Sequence, residues 1–192
     1  MNYLRHTLTL LLVCSALQAE TTATAEKVGA SAATALKKNL MGALGAALNR
    51  GDIAGAIEIC SSEAMPLTAK SAEVDPAVLS IHRRTDRWRN PANQADRIDA
   101  KAMHHFRKDK SLTEWTIDES DQIARYYQPL RIAPMCLNCH GDPDTFTNEV
   151  KEALGSHYGE DRAIGYTEGE LRGVIQVRID TTPNAEQLLE SR

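Results

Sequence analysis

The sequence of 192 residues predicts one α+β domain, with an antiparallel sheet flanked by helices and a long N-terminal helix. Three observations lead to this class. Residues 23–48 are rich in Ala, Leu and Lys, which favours a helix of several turns. Residues 171–180 alternate apolar and polar side chains, as a half-buried strand does. The other strand-like segments also fall late and are separated by helical ones, which is typical of an α+β domain.

The first helix is expected to end near Gly51, and Asp52 is expected to cap a second helix. Pro66 is expected to end or bend that second helix. Its apolar residues recur in steps of three and four and therefore share one face: Ile53, Ile57, Cys60, Ala64 and Leu67. This spacing points the side chain of Cys60 inward.

A strand is predicted over residues 78–85, followed by a polar turn rich in arginine. The next helix is predicted over residues 94–108. Its inner side is expected to carry Ile98, Ala102 and either His105 or Phe106.

Residues 114–117 and 123–132 are predicted to form paired strands, the second interrupted or placed at an edge by Pro129. A short helix is then predicted over residues 148–154 and a glycine-spaced turn over residues 165–173. After the strand at 171–180, a short charged helix is predicted beyond Pro183.

The N-terminal residues 1–19 have the pattern of a secretory signal. Two basic residues precede an apolar run, and small residues lead to a cut after Ala19. The run is too short for a membrane anchor, and Val13 is too large for a lipoprotein site at Cys14. The mature domain is therefore expected to span residues 20–192 in the periplasm, without stable membrane insertion. A net charge of -4 argues against nucleic acid as a partner.

Cys136-Leu137-Asn138-Cys139-His140 is the most informative motif in the chain. Two cysteines spaced by two residues and followed at once by histidine form the attachment pattern of a c-type haem. The thiols of Cys136 and Cys139 would bond to the porphyrin edge, and His140 would be the first axial ligand of the iron. The alternatives are a redox-active cysteine pair, a chance match or half of a zinc site, which needs a second pair of ligands. The cysteines outside the motif, Cys14 and Cys60, do not provide such a pair.

The second axial ligand is not fixed by the motif. Small electron-carrying cytochromes c use a methionine far downstream, but no methionine follows His140. Cys60 has no partner once Cys14 is removed with the signal and the motif cysteines hold haem. An unpaired cysteine in an oxidising compartment is a ligand, an intermolecular partner or an inert buried side chain, and the residues alone leave ligation and burial open.

The other possibilities for the second axial position are an open site or one of these side chains: His82, His104, His105, His157, Met65 and Met103. Ordinary packing or surface exposure accounts for these histidines and methionines better than ligation does. Haem propionates also need cationic partners. The densest basic cluster lies at residues 83–89, with Arg162 after the motif, and within it Arg84 and Arg89 are the predicted propionate partners.

Four stretches of the chain resemble a known family. They are residues 56–60, residues 84–93, residues 136–141 and residues 161–173, where Asp161-Arg162-Ala163-Ile164-Gly165-Tyr166 leads into Glu168-Gly169-Glu170 and Gly173. The family is that of the PAS-like periplasmic c-type haem domains, found alone or at the front of bacterial sensor histidine kinases. The resemblance implies a PAS-like sheet, one covalent haem on His140 and a distal ligand at Cys60.

These observations predict a periplasmic monohaem c-type cytochrome that acts in redox sensing or electron transfer, with an unknown redox or signalling protein as its partner. The alternative is a haem-based sensor that binds a diatomic gas and works through a separate partner. A peroxidase is disfavoured because no distal histidine and arginine occur at a recognisable spacing.

Overall fold

The computed structural model describes the backbone of residues 2–182 and the side chains of residues 22–182. The helices are α1 Asn2–Asn49, α2 Ile53–Lys70, α3 Arg97–Lys108, α4 Leu137–His140 and α5 Asn148–His157. The strands are β1 Val78–Arg84, β2 Trp115–Ser120, β3 Ile123–Arg131 and β4 Leu171–Asp180. The helix predicted beyond Pro183 lies outside the described residues.

The four strands form one sheet in the order β1-β4-β3-β2, and every neighbouring pair is antiparallel. The first and last strands of the chain are therefore neighbours, while β2 and β3 form a hairpin on the other side of β4. Helices cover both faces of the sheet. The predicted α+β class, with its flanked antiparallel sheet and long N-terminal helix, is confirmed.

Helix α1 packs on one face of the sheet through a stripe of small side chains. Ala32, Ala33 and Leu36 are completely buried against Tyr126 and the apolar side chains of β4. Gly29 lies directly against the sheet, since a Cβ built there would come within 2.2 Å of the Tyr126 ring. No side chain fits at residue 29 unless the helix or the ring moves.

We expect Gly29→Ala to destabilise the protein even though alanine is the better helix former. Overpacking a well-filled core costs about 1–3 kcal/mol, against a propensity gain of about 1 kcal/mol. Gly45→Ala in the same helix is the matched control, because a Cβ at residue 45 meets no other atom within 4 Å. Urea unfolding should show a loss for Gly29→Ala and a small gain for Gly45→Ala. Equal effects would contradict the close packing at Gly29.

Helix α3 covers the opposite face of the sheet. Met103 and Phe106 pack with Tyr127 and Val174, while His105 is exposed and stacks on Trp115. Of the two residues predicted for the inner side at this position, Phe106 is the buried one.

A buried carboxylate, Asp99, lies between α3 and the sheet. It accepts hydrogen bonds from the Tyr127 hydroxyl at 2.9 Å and from Gln176 Nε2 at 2.5 Å. The alternation of β4 places Gln176 on the face of the strand that is opposite to most of its apolar residues. Gln176 is nevertheless buried, because α3 covers that face. Polar side chains thus form part of the contact between α3 and the sheet.

Several element boundaries differ from those predicted. Helix α2 continues through Pro66 to Lys70 rather than ending there. Helix α3 begins at Arg97 because the Asp96 carboxylate caps it, accepting from the N–H groups of Ile98 and Asp99.

Pro129 lies within β3, a central strand, but the pairing of β2 stops at Tyr127. On the β2 side Pro129 has no paired strand, so its lack of an N–H group costs no hydrogen bond there.

Of the residues whose side chains are described, none belongs to a helix long and apolar enough to cross a membrane.

Candidate haem site

The motif residues 136–141, here called the motif turn, form a compact turn that follows the end of β3. Pro134–Cys136 is a single 3₁₀ turn that leads directly into α4, so Cys136 is the N-cap of the short helix and His140 is its last residue. The chain then reverses at Gly141, whose N–H donates to the carbonyl of Leu137. A Cβ at residue 141 would lie 2.6 Å from that carbonyl oxygen, so the turn requires glycine.

A loop of residues 161–166, the 161–166 loop, holds the motif turn through backbone hydrogen bonds. Tyr166 N–H donates to the carbonyl of His140 at 2.9 Å, and Gly165 N–H donates to that of Gly141 at 2.7 Å. Gly165 has φ of +69°, a conformation that glycine adopts without strain. The sequence stretches 136–141 and 161–166 are therefore two halves of one site.

The imidazole of His140 is oriented by this loop. Its Nδ1 lies 2.6 Å from the carbonyl oxygen of Ala163, which can only accept, so Nδ1 carries the proton. The other ring nitrogen, Nε2, is then the unprotonated one and is available as a metal ligand. Burial and the nearby Arg89 lower the pKa of this imidazole, which keeps it neutral.

Arg89 fixes both halves of the site. Its Nε donates to the Asp161 carboxylate at 2.8 Å, and its Nη2 donates to the carbonyls of Cys139 and Ala163. The ion pair is mostly shielded, with side-chain exposures of 10% for Arg89 and 12% for Asp161. Since its guanidinium bonds to the protein on two sides, Arg89 acts as a positioning residue for His140 and Cys139.

Cys60 lies on α2 beside the motif turn. One turn earlier on the same helix, Ile57 packs with Phe146 and Leu154 in the cluster that Cys139 also contacts. Burial raises the pKa of the Cys139 thiol to about 11, and Cys60 is near enough for its thiolate charge to raise that pKa further. Burial raises the pKa of Cys60, while Arg83 and Arg89 lower it. The structure thus brings together Cys60, Cys139 and His140.

Arg83 and Arg84 point to opposite faces of β1, as neighbours on a strand must. Arg83 lies on the side of α2, with its Nη2 3.9 Å from the sulfur of Met65, and its buried Nε has no hydrogen-bond partner among the described residues. Arg84 lies on the side of α3, where it donates to the carbonyls of Ala92 and Gln94. The structure therefore places Arg83 on the same side of the sheet as Cys60, and Arg84 on the opposite side.

The structure separates most other candidate ligands from the motif turn. Met103 is buried on the α3 face of the sheet. His82 points to the same face, because it is paired in register with Gln176 of β4. His104 and His105 are exposed on α3. His157 is exposed at the end of α5, where its Nδ1 lies 3.2 Å from the Ser61 hydroxyl. Met65 lies near Arg83, while Cys60 on the same helix acts electrostatically on Cys139 of the motif.

The residues around the motif turn fit a covalently attached haem. The thiols of Cys136 and Cys139 are free, as is that of Cys60. Nε2 of His140 is available as an iron ligand. Arg83 is a buried cation whose Nε has no hydrogen-bond partner among the described residues, and it is therefore suited to bind a propionate. The sequence had not indicated Asp161 or the Ala163 carbonyl as parts of the site, although both lie in a stretch that resembles the family.

Two comparisons identify the relatives of the chain. A solved structure described as the cyanobacterial heme-protein Tll0287 superimposes with a TM-score of 0.58 at 20% sequence identity, covering 81% of this chain and 94% of that one. No functionally curated protein matches the sequence. The family model described as Tll0287-like matches residues 12–180. This match spans most of the chain and confirms the resemblance drawn from the four sequence stretches, so the protein belongs to the Tll0287-like family.

Proposed function

We propose that this protein is a periplasmic monohaem c-type haem protein that acts in redox sensing or electron transfer. Cys136 and Cys139 would hold haem c covalently, with His140 and Cys60 as the two axial ligands. The observation that carries the proposal is the bond between His140 Nδ1 and the Ala163 carbonyl, because it leaves Nε2 ready to bind iron beside two free thiols. The haem-protein relative and the signal-like residues 1–19 support it.

Haem c supplies one-electron chemistry when it is bound. The protein's contribution is to hold and tune the ligands. Arg89 fixes the backbone of Cys139 and the carbonyl that orients His140, and the apolar cluster around Ile57 excludes water from the side of α2. A thiolate at Cys60 would donate charge and favour the ferric state, so we expect a low reduction potential.

Replacing Cys60 with alanine should change the absorption spectrum of the purified protein while leaving the haem attached. We expect loss of the sulfur-ligated ferric spectrum, a high-spin or altered ligand state, and a higher reduction potential. Ser61→Ala, one residue along the same helix, is the matched control and should retain the parent spectrum. The mass of each protein, produced in a host that attaches haem, checks covalent loading independently.

Two outcomes would contradict the proposal. A mass equal to that of the bare polypeptide would exclude covalent haem, and an unchanged spectrum in Cys60→Ala would exclude Cys60 as a ligand. The response of the reduced protein to CO separates the two roles. A form inert to CO favours electron transfer, and rapid CO binding assigns the protein to the gas-sensing class.

A further inference from the structure

A basic cleft of about 190 Å³ lies between the C-terminal end of α3, the end of β3 and the start of β4. Tyr166 and Glu170 line it together with four cationic side chains: Arg87, Arg107, Lys110 and Arg131. Glu170 is already satisfied, since it accepts bonds from the N–H and hydroxyl of Thr167, and these bonds lower its pKa. In a chain with a net charge of -4, this concentration of positive charge runs against the overall balance.

The cations that act electrostatically on His140 are Arg83, Arg89 and Arg172, and none of them lines the cleft. One cleft cation, Arg87, also donates to the carbonyl of Ile164 in the 161–166 loop. The cleft cations are only partly engaged. Arg131 donates to the carbonyls of Phe106 and Lys110, and Arg107 pairs with the exposed Asp86. A guanidinium has five N–H donors, so these side chains can still bind an anion.

Tyr166 is the second observation that points to a ligand. The residue is 4% exposed, and its hydroxyl has no hydrogen-bond acceptor among the described residues, since its neighbour Arg172 can only donate. Buried hydroxyls without a partner are uncommon in proteins. The guanidinium of Arg87 stacks on the ring, 3.8 Å from its centroid, so positive charge lies beside this donor.

We propose that the cleft binds a small polyvalent oxyanion, a phosphate or a dicarboxylate. The cationic side chains supply the attraction, and the Tyr166 hydroxyl supplies a directed hydrogen bond. The volume suits a small anion. The Tyr166 ring meets the His140 imidazole edge-on at 6.3 Å, so the bound anion lies one side chain from the motif turn.

Isothermal titration calorimetry with inorganic phosphate and with succinate, at constant ionic strength set by chloride, tests the site. We expect saturable binding of at least one of them with one site per chain. Arg107→Gln combined with Lys110→Gln should weaken binding at least tenfold, because both charges lie in the cleft. Lys101→Gln combined with Lys108→Gln removes the same charge from exposed positions outside the cleft, and should change the affinity less than twofold.

Tyr166→Phe removes one hydrogen bond to an anion and should weaken binding about tenfold. Absence of saturable binding of either anion would overturn the proposal. So would equal affinities in the two double variants, since that result means general charge attraction only. The anion site does not depend on haem loading. The absorption spectrum of the same sample reports whether haem is bound, so a failure of anion binding can be told apart from a failure of the proposed haem function.

Discussion

Replacing Arg89 with alanine is expected to lower the free energy of unfolding by about 3–5 kcal/mol, the cost of breaking a shielded ion pair from one side. Asp161 would keep one bond, from the N–H of Ala163, and would lose its only cationic partner within 4 Å among the described residues. The carbonyls of Cys139 and Ala163 would lose their guanidinium donor. Because the second of these carbonyls orients His140, the yield of haem-loaded protein should fall as well.

Arg107→Ala is the matched control for this change. Arg107 and Asp86 form an equally close ion pair, but their side chains are 44% and 49% exposed. Exposed pairs contribute about 0–1 kcal/mol, so denaturant unfolding should separate the two variants clearly. Arg89→Lys should fall between them, since it keeps the charge and loses the planar fork. A loss below about 1 kcal/mol for Arg89→Ala would refute the positioning role.

The sequence identified the elements better than the contacts between them. Strand β4 and helix α2 were predictable because their apolar periods are regular, and the motif turn was predictable because its spacing is chemically specific. The pairing of Arg89 with Asp161 was not, since 72 residues separate them and only the tertiary fold brings them together.

The sequence could not show to which face of the sheet Arg83 and Arg84 point, and there is a definite physical reason. Helices cover both faces of the sheet, so the residues of β1 do not alternate cleanly between apolar and polar. Without that alternation the phase of the strand is not fixed, and an error of one residue reverses the face of every side chain. Charge clustering could locate the arginines on the strand but not their direction.

The buried Asp99 was missed although a signal was present. Asp99, Ala102, Met103 and Phe106 follow each other at helical spacing and share one buried face of α3. A carboxylate in such a stripe is ordinarily assigned to the surface. Its partners, Tyr127 and Gln176, lie on the sheet, which the helix pattern does not show.

Asp99→Ala is expected to destabilise the protein by about 3–5 kcal/mol. The carboxylate is completely buried, and its Oδ1 accepts from Tyr127, Gln176 and Arg125. Alanine would leave these donors without their shared acceptor. It would also remove the Oδ2 that accepts the Asp96 N–H and so completes the capping box of α3.

Asp99→Asn tests which oxygen of the carboxylate, Oδ1 or Oδ2, contributes more to stability. Its amide oxygen can still serve the donors at the Oδ1 position, while its NH₂ group would face the Asp96 N–H, donor against donor. We therefore expect a loss smaller than that of Asp99→Ala, measured by urea unfolding of both. Asp118→Ala, at an exposed position of the edge strand β2, should change stability by less than about 0.5 kcal/mol. Equal stabilities of Asp99→Ala and Asp118→Ala would show that the buried network does not hold α3 on the sheet.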